Sequence, residues 1–177
     1  MSERPSLETE RLLLRPFHPA DAPEVMRLAG DPAIASTTLN IPHPYEPGMA
    51  EAWIATHQES FDKGTGLGFA IARRADRALL GAVGLIIAPA HARAEIGYWI
   101  GKEHWNQGYA TEAARAVVRH GFDVLGLNRI VARHFSRNPA SGRVLEKVGL
   151  HHEGRCPQHV LKNGVFEDLE LYGRLRS

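Results

Sequence analysis

The chain has 177 residues, enough for one core-bearing domain and too few for two ordinary ones, since about 150 residues per domain is usual. Lys plus Arg total 21 against 20 Asp plus Glu, a formal charge of +1 at pH 7, and this balance excludes a broad electrostatic grip on nucleic acid. Cys156 is the only cysteine, which excludes an intrachain disulfide and a cysteine-based zinc cluster and fits a cytoplasmic protein.

In chain order, Met1-Ser-Glu-Arg-Pro5 is polar and charged, without the apolar stretch of a secretory leader. Residues 12–17 read as a strand. Pro19 and Asp21 then open a helix in which Ala22, Val25, Met26 and Ala29 recur at helical spacing, with Gly30 as its stop. Ile41-Pro-His-Pro-Tyr45 is a stiff loop, because each proline pushes the residue before it towards extended geometry. A second helix runs from about Met49 to Lys63, ended by Gly64 and Gly66. Residues 67–73 and 79–87 form two strands about a polar turn. The longest apolar run, residues 79–90, contains Gly and Pro and falls well short of the roughly 18 residues of a membrane span. Residues 94–101, rich in Ile, Tyr and Trp, give a further strand.

From Gly108 the period changes. Ala110, Ala113, Ala114, Val117, Val118, Phe122 and Leu125 follow one helical stripe, with Gly126 where a C′ glycine belongs and Arg115 and Arg119 on the opposite, solvated face. Residues 129–135 are a strand. Asn138-Pro139 supplies an N-cap and an N1 proline for a short helix ending before Gly149, and two last strands flank Asn163-Gly164, a type I′ turn signal. No pure βαβ alternation explains this order. The expectation is one α/β domain, residues 1–177, with a mixed, largely antiparallel sheet.

Chemistry concentrates where Ala94-Glu-Ile-Gly-Tyr-Trp-Ile-Gly101 leads through Trp105-Asn-Gln-Gly-Tyr-Ala-Thr-Glu112 into the long helix. The first N–H groups of a helix lack intrahelical partners and sit at the positive end of its dipole, and glycine permits close approach by an anion. Backbone amides of residues 106–111 therefore suit a pyrophosphate; the plain alternative is a glycine used only for a tight turn. Neither a Gly-Lys-Ser/Thr phosphate loop nor a Gly-x-Gly-x-x-Gly after the first strand is present. Arg supplies all basic residues except Lys63, Lys102, Lys147 and Lys162, an excess that either serves phosphate through its planar fork of donors or reflects composition alone.

Four blocks carry a resemblance to a known family: Leu7-Glu-Thr-Glu-Arg-Leu-Leu-Leu-Arg15, Ala94-Glu-Ile-Gly-Tyr-Trp99, Gln107-Gly-Tyr-Ala-Thr-Glu-Ala113 and Asn138-Pro-Ala-Ser-Gly-Arg-Val-Leu-Glu-Lys-Val-Gly-Leu150. Together they resemble the GNAT acetyltransferases, in particular the RimJ/RimL branch of ribosomal-protein N-terminal acetyltransferases, across a motif core of about residues 7–173. The general Gln/Arg-x-x-Gly-x-Gly/Ala motif is met in part, with Trp105 at the Gln/Arg position and Ala110 at the last small one. The resemblance implies a sheet splayed between its fourth and fifth strands and acetyl-coenzyme A as co-substrate, with no metal. It implies that the amides of Asn106, Gln107, Gly108, Tyr109, Ala110 and Thr111 hold the pyrophosphate. The pantetheine arm would lie beside Trp99 and Ile100 and bond to Asn138, and Ser141 would donate to the departing thiolate. Standing alone, Asn138 reads as an N-cap and Ser141 as a first-turn residue.

Direct transfer needs a neutral amine near the thioester, donors for the developing oxyanion and a proton acceptor. Glu95, on a strand where several superfamily members place a base, is the candidate acceptor; otherwise it is a strand-edge surface carboxylate. Some Rim-type relatives present a carboxylate from the strand that here reads Cys156-Pro-Gln-His-Val-Leu161, which has none, leaving His159 as the substitute there or a structural histidine. Tyr98 either positions the amine or packs. Tyr45 and the helix containing Trp53 border the acceptor. Deprotonating an ε-amine of pKa about 10.4 at pH 7 costs roughly 4–5 kcal/mol, against about 1 kcal/mol for an α-amine near 8, so a weakly equipped site suits an α-amine. The leading expectation is acetylation of a protein or peptide N-terminus. A small amine acceptor (an amino acid, polyamine or aminoglycoside) and a non-catalytic acyl-coenzyme A sensor are the alternatives, and an acidic, narrow pocket would favour a polycation where an open groove favours a peptide. Nucleic-acid and membrane partners are not expected, and the residues leave open whether the protein is a monomer or a homodimer.

Overall fold

In the computed structural model, which describes residues 3–177, Leu7–Glu8 (β1) pairs antiparallel with Leu12–Arg15 (β2). Strand β2 stops two residues before the expected end because Pro16 has no N–H to donate. A single 3-10 turn, Pro19–Asp21, then sets the phase of Ala22–Ala29 (α1), so that Leu28 rather than Met26 completes the buried stripe with Ala22, Val25 and Ala29. Pro32–Thr37 (α2) was not expected. At six residues it is too short to show a period, although Asp31 caps it by accepting from Ala33 N at 2.8 Å and Pro32 starts it.

Met49–Asp62 (α3) leads into Gly66–Arg73 (β3), Leu79–Ala88 (β4) and Arg93–Ile100 (β5), followed by Tyr109–Asp123 (α4), Arg129–Phe135 (β6), Pro139–Lys147 (α5), His151–Lys162 (β7) and Val165–Leu175 (β8). One eight-stranded sheet runs in the order β1-β2-β3-β4-β5-β6-β8-β7. Every pairing is antiparallel except β5 with β6. That parallel pairing covers only Arg93, Ala94 and Glu95 against Arg129, Ile130 and Val131; beyond it the two strands part. They are the fourth and fifth strands once the two-residue β1 is set aside, where the splay was expected.

The alternation along β3, β4 and β5 gives the sheet two different faces. Leu67, Phe69, Ile71, Val83, Leu85 and Ile96 face α4, whose Ala113, Ala114, Val117 and Val118 are buried against them. Each fully buried Val or Phe here contributes about 1.5–3 kcal/mol. Leu125, expected on this stripe, lies past the end of α4 and is exposed. The opposite face presents Ala70, Ala82 and Trp99 to α1 and α3, which bury Val25, Leu28, Ala50 and Ile54 there. Gly68, Gly84 and Gly97 stand opposite one another on this second face across β3, β4 and β5. Their backbone makes a floor without side chains beneath α3.

Candidate active site

A cavity of about 1280 Å³ enters the splay between β5 and β6 and continues over the glycine floor. At one end of the cavity, α4 begins at Gly108, which has φ of +80°, after Asn106 at φ of +61°. Left-handed backbone at both positions turns successive amides towards the same side, an arrangement suited to an anion. None of the N–H groups of residues 106–111 has a protein partner among the described residues; the first to bond is Glu112 N, to Gly108 O at 3.1 Å. Tyr109 contributes only its amide, since its ring is buried beneath the Arg11 guanidinium, 4.7 Å from the ring centroid. The Gln107 side chain points away from the cavity and donates to Glu103 O at 3.4 Å, so its expected role falls to its backbone alone.

The N-terminal block explains itself here. Glu112, in the first turn of α4, accepts from Thr9 Oγ1 at 2.6 Å, Arg11 N at 2.8 Å and Arg11 Nε at 2.7 Å, while Arg11 Nη1 donates to Gln107 O at 2.9 Å. These charge-assisted bonds clamp the loop to β1 and β2 and cancel the Glu112 charge beside the cradle. Sequence reasoning missed this clamp, although the Leu7 to Arg15 block and Glu112 were both in view. Trp105 pins the other side of the loop, its indole N–H donating to Ile100 O at 2.6 Å.

Along the cleft, Ile100 and Trp99 both line the wall, and Trp99 also packs against the cluster under α1 and α3. Asn138 is the N-cap residue of α5 by position but makes no side-chain cap bond, so its amide remains available to the cavity. Tyr98 Oη lies 2.9 Å from Ser141 Oγ and 3.0 Å from Ser141 O. Burial pushes the Tyr98 phenol up to about 12, against the opposing effect of its contact with Ser141. Below pH 10 it is therefore a neutral donor.

At the fork itself, Glu95 Oε1 accepts from Arg133 Nε at 2.8 Å, a bond across the two parting strands, while Oε2 has no protein partner among the described residues. Among the described residues lining the cavity, Glu95 is the only carboxylate. His159 is a correction to the sequence reading. It falls in the register break of β7 between Cys156 and Val160, is exposed and does not line the cavity. Tyr45 lines the other end of the cavity, with Trp53 and His57 of α3. Lys162 at the tip of the β7–β8 hairpin donates to Leu39 O at 3.0 Å and Ile41 O at 2.7 Å, fastening the proline-rich loop over that end.

His57 packs against Phe17 and Trp53, with ring centroids 5.3 and 4.6 Å away, and its Nδ1 is buried without a partner. Burial, aided by the nearby Arg4 cation, pushes it down to about 4. Below pH 6.5 the unfolded chain then takes up a proton that the folded chain refuses, so His57 contributes stability above pH 6.5 that is lost as pH falls through 4. Urea unfolding should show stability rising between pH 4.5 and 6.5, and His57→Phe should flatten that rise. An unchanged slope would mean that His57 takes up its proton equally in the folded and unfolded chains.

Among the described residues, no cluster of three His, Cys, Asp or Glu side chains is placed to hold a metal, and no helix is long and apolar enough to cross a membrane. Comparison with known proteins gives four relevant likenesses. Residues 11–151 match the family described as Acetyltransferase (GNAT) domain. The chain is 36% identical over 169 residues to the uncharacterized N-acetyltransferase YoaA of Bacillus subtilis, covering 95% of each. It is 34% identical over 89 residues, 50% of each chain, to the ribosomal-protein-serine acetyltransferase of Escherichia coli. Among solved structures, it is similar in fold to RimL, a ribosomal alpha-N-protein acetyltransferase in complex with coenzyme A, with a TM-score of 0.89 and 19% identity over 97% of this chain and 98% of that one.

Proposed function

This chain belongs to the GNAT acetyltransferase family, and from that premise we propose that it acts as a single domain that transfers acetyl from acetyl-coenzyme A to the α-amine of a protein or peptide N-terminus. The observation that carries the choice of acceptor is the charge of the cavity. Its one carboxylate, Glu95, is already engaged by Arg133. A polyamine or aminoglycoside would bring several cations to a wall that offers no free negative charge beyond Glu95 Oε2. A peptide N-terminus brings one amine, and the bare strip of Gly68, Gly84 and Gly97 leaves room for extended backbone. The ribosomal-protein-serine acetyltransferase similar over half of this chain supports the same reading.

The unpartnered amides of residues 106–111 fit a pyrophosphate, and the Asn138 side chain is free to bond to a pantetheine amide. The coenzyme supplies an acetyl thioester. Glu95 Oε2 accepts the amine proton as the amine nitrogen bonds to the thioester carbon, and backbone N–H groups on the open edge of β5 stabilise the oxyanion. As the carbon–sulfur bond breaks, Ser141 Oγ donates to the sulfur, with Tyr98 donating in turn to Ser141. Neither group gives up its proton outright. Burial makes the Tyr98 phenol a much weaker acid than an alkyl thiol, so transfer of its proton to the departing thiolate would be uphill. The thiolate is reprotonated by solvent.

Thiol release from acetyl-coenzyme A, measured with free N-terminal peptides, Nα-blocked lysine peptides and spermidine, tests the reading. The expected result is a kcat/KM at least about 10-fold higher for free N-termini, lowered about 10²-fold by Glu95→Gln. Preference for spermidine or lysine would overturn the acceptor, and an unaffected Glu95→Gln variant would overturn the base.

A further inference from the structure

The end of the cavity bounded by α1, α2 and α3 differs from the rest in its walls. Every Asp, Glu, Lys and Arg among the described lining residues comes from position 95 onward; from Phe17 to Ile87 the lining carries none. What stands there instead is aromatic. Phe17 and Trp53 meet edge to face with ring centroids 4.9 Å apart, and His57 closes the group at 5.3 and 4.6 Å from the two. Ile34 of α2 and Ile41 and Tyr45 of the proline-rich loop add apolar surface beside it. The glycine strip links this group to the fork. Glu95, Gly97 and Trp99 alternate onto one face of β5, where the register sets Gly97 opposite Gly84 and Gly84 opposite Gly68. A Cβ built at Gly97 would meet nothing within 4 Å, whereas one at Gly68 would meet the His57 ring at 3.4 Å. The strip is therefore open beside Glu95 and walled by His57 two strands away, about 10 Å across at the usual strand spacing.

Resting on the N-terminal acceptor reading, we propose that this aromatic pocket selects the acceptor by its first side chain, taking a large apolar one such as leucine or phenylalanine and rejecting a cationic one. A peptide whose α-amine sits at Glu95 Oε2 carries its first side chain on the very next carbon, over the strip and towards His57. An apolar side chain there exchanges water for contact with Phe17, Trp53 and Ile41, and the rings offer it edge and face. Serine fills little of that space and gains little. A guanidinium would give up its water with no carboxylate on these walls to meet it. Arg4 adds to that penalty from outside the cavity: its guanidinium donates to Phe17 O at 3.3 Å and, together with burial, keeps His57 uncharged.

The test is thiol release from acetyl-coenzyme A with peptides of one sequence that differ only in the free first residue: phenylalanine, leucine, alanine, serine or arginine. The kcat/KM is expected to be at least about 10-fold higher for phenylalanine and leucine than for serine, and lowest for arginine. Trp53→Ala should narrow the phenylalanine-to-serine ratio to about 3-fold or less, with Tyr45→Ala as the second variant should the first not fold. Both peptides are compared on one preparation, so the ratio does not depend on how much of a variant is folded, and the wild-type order decides the matter where neither variant folds. A serine peptide used as well as the phenylalanine one overturns the pocket while leaving the N-terminal reading intact. An arginine peptide turned over as fast as the phenylalanine one overturns it too, as does a ratio that the folded variant keeps. If none of these peptides releases thiol, the N-terminal reading itself fails, and the pocket's role with it.

Discussion

Replacing Ser141 with alanine is expected to lower kcat by about 10²-fold while the KM for acetyl-coenzyme A stays within about 3-fold. In the proposed mechanism the hydroxyl meets a charge that exists on sulfur only as the carbon–sulfur bond breaks, so its loss would fall on the transition state rather than on binding. Tyr98→Phe should be milder, about 10-fold, because Ser141 Oγ remains and loses only the partner 2.9 Å away. The double variant should be no slower than about 3-fold below Ser141→Ala, since two groups acting through one hydrogen-bonded pair are not additive. With Tyr98 pushed up to about 12, no inflection in kcat from this phenol is expected below pH 10. Steady-state rates for the three variants across pH 6–10 decide the matter. A Ser141→Ala enzyme with wild-type kcat removes the serine from the chemistry, and equal losses for Tyr98→Phe and Ser141→Ala would make the tyrosine the direct donor.

Local signals carried most of the architecture. The turn from β5 into α4 is legible in residues 101–112 because a glycine before a clean helical stripe leaves the first amides unpaired whatever the rest of the fold does. The boundaries of β6 are legible for the same reason, an apolar alternation closed by Asn138-Pro139. Contacts between distant segments are another matter. The clamp of Thr9 and Arg11 on Glu112 joins positions 103 and 101 residues apart, and the Glu95–Arg133 pair depends on the register of two parallel strands 38 residues apart. No period within either segment encodes such a register. His159 misled because a strand pattern continues through residues 156–161, whereas the backbone bulges there, with Gln158 at φ of +47° and its N–H held by Asp168 Oδ1 at 2.6 Å.

The same distinction recasts the near-neutral composition. A charge of +1 describes a surface on which most arginines are neutralised by a neighbouring carboxylate, among them Arg15 by Asp21 and Arg73 by Asp76. Binding of a highly charged coenzyme therefore depends on where cations are left unpaired and where backbone amides are free, quantities that net charge does not report. The free amides lie together at the start of α4.

Gly108→Val is expected to raise the KM for acetyl-coenzyme A by about 30-fold or more while kcat at saturating donor stays within about 3-fold. A residue with a Cβ pays about 1–2 kcal/mol in the left-handed region that Gly108 occupies, and a β-branched one is the worst suited to it. The added Cβ would also stand 3.3 Å from the Arg11 guanidinium, and the valine methyls beyond it would press on the group that holds Gln107 O and Glu112. Relief comes either by rotating residue 108 out of its conformation, which turns the amides of residues 107–111 away from a common centre, or by expelling Arg11, which releases the loop. Both routes act on donor binding, because Glu95 and Ser141 lie on other elements, β5 and α5. Gly108→Asn should lose less, about 5-fold, since asparagine tolerates the left-handed region and carries no branch at Cβ. Initial rates against donor concentration, paired with calorimetric titration of coenzyme A, separate the two constants. A Gly108→Val protein that binds coenzyme A as tightly as wild type would show that the amides at the start of α4 do not hold the pyrophosphate.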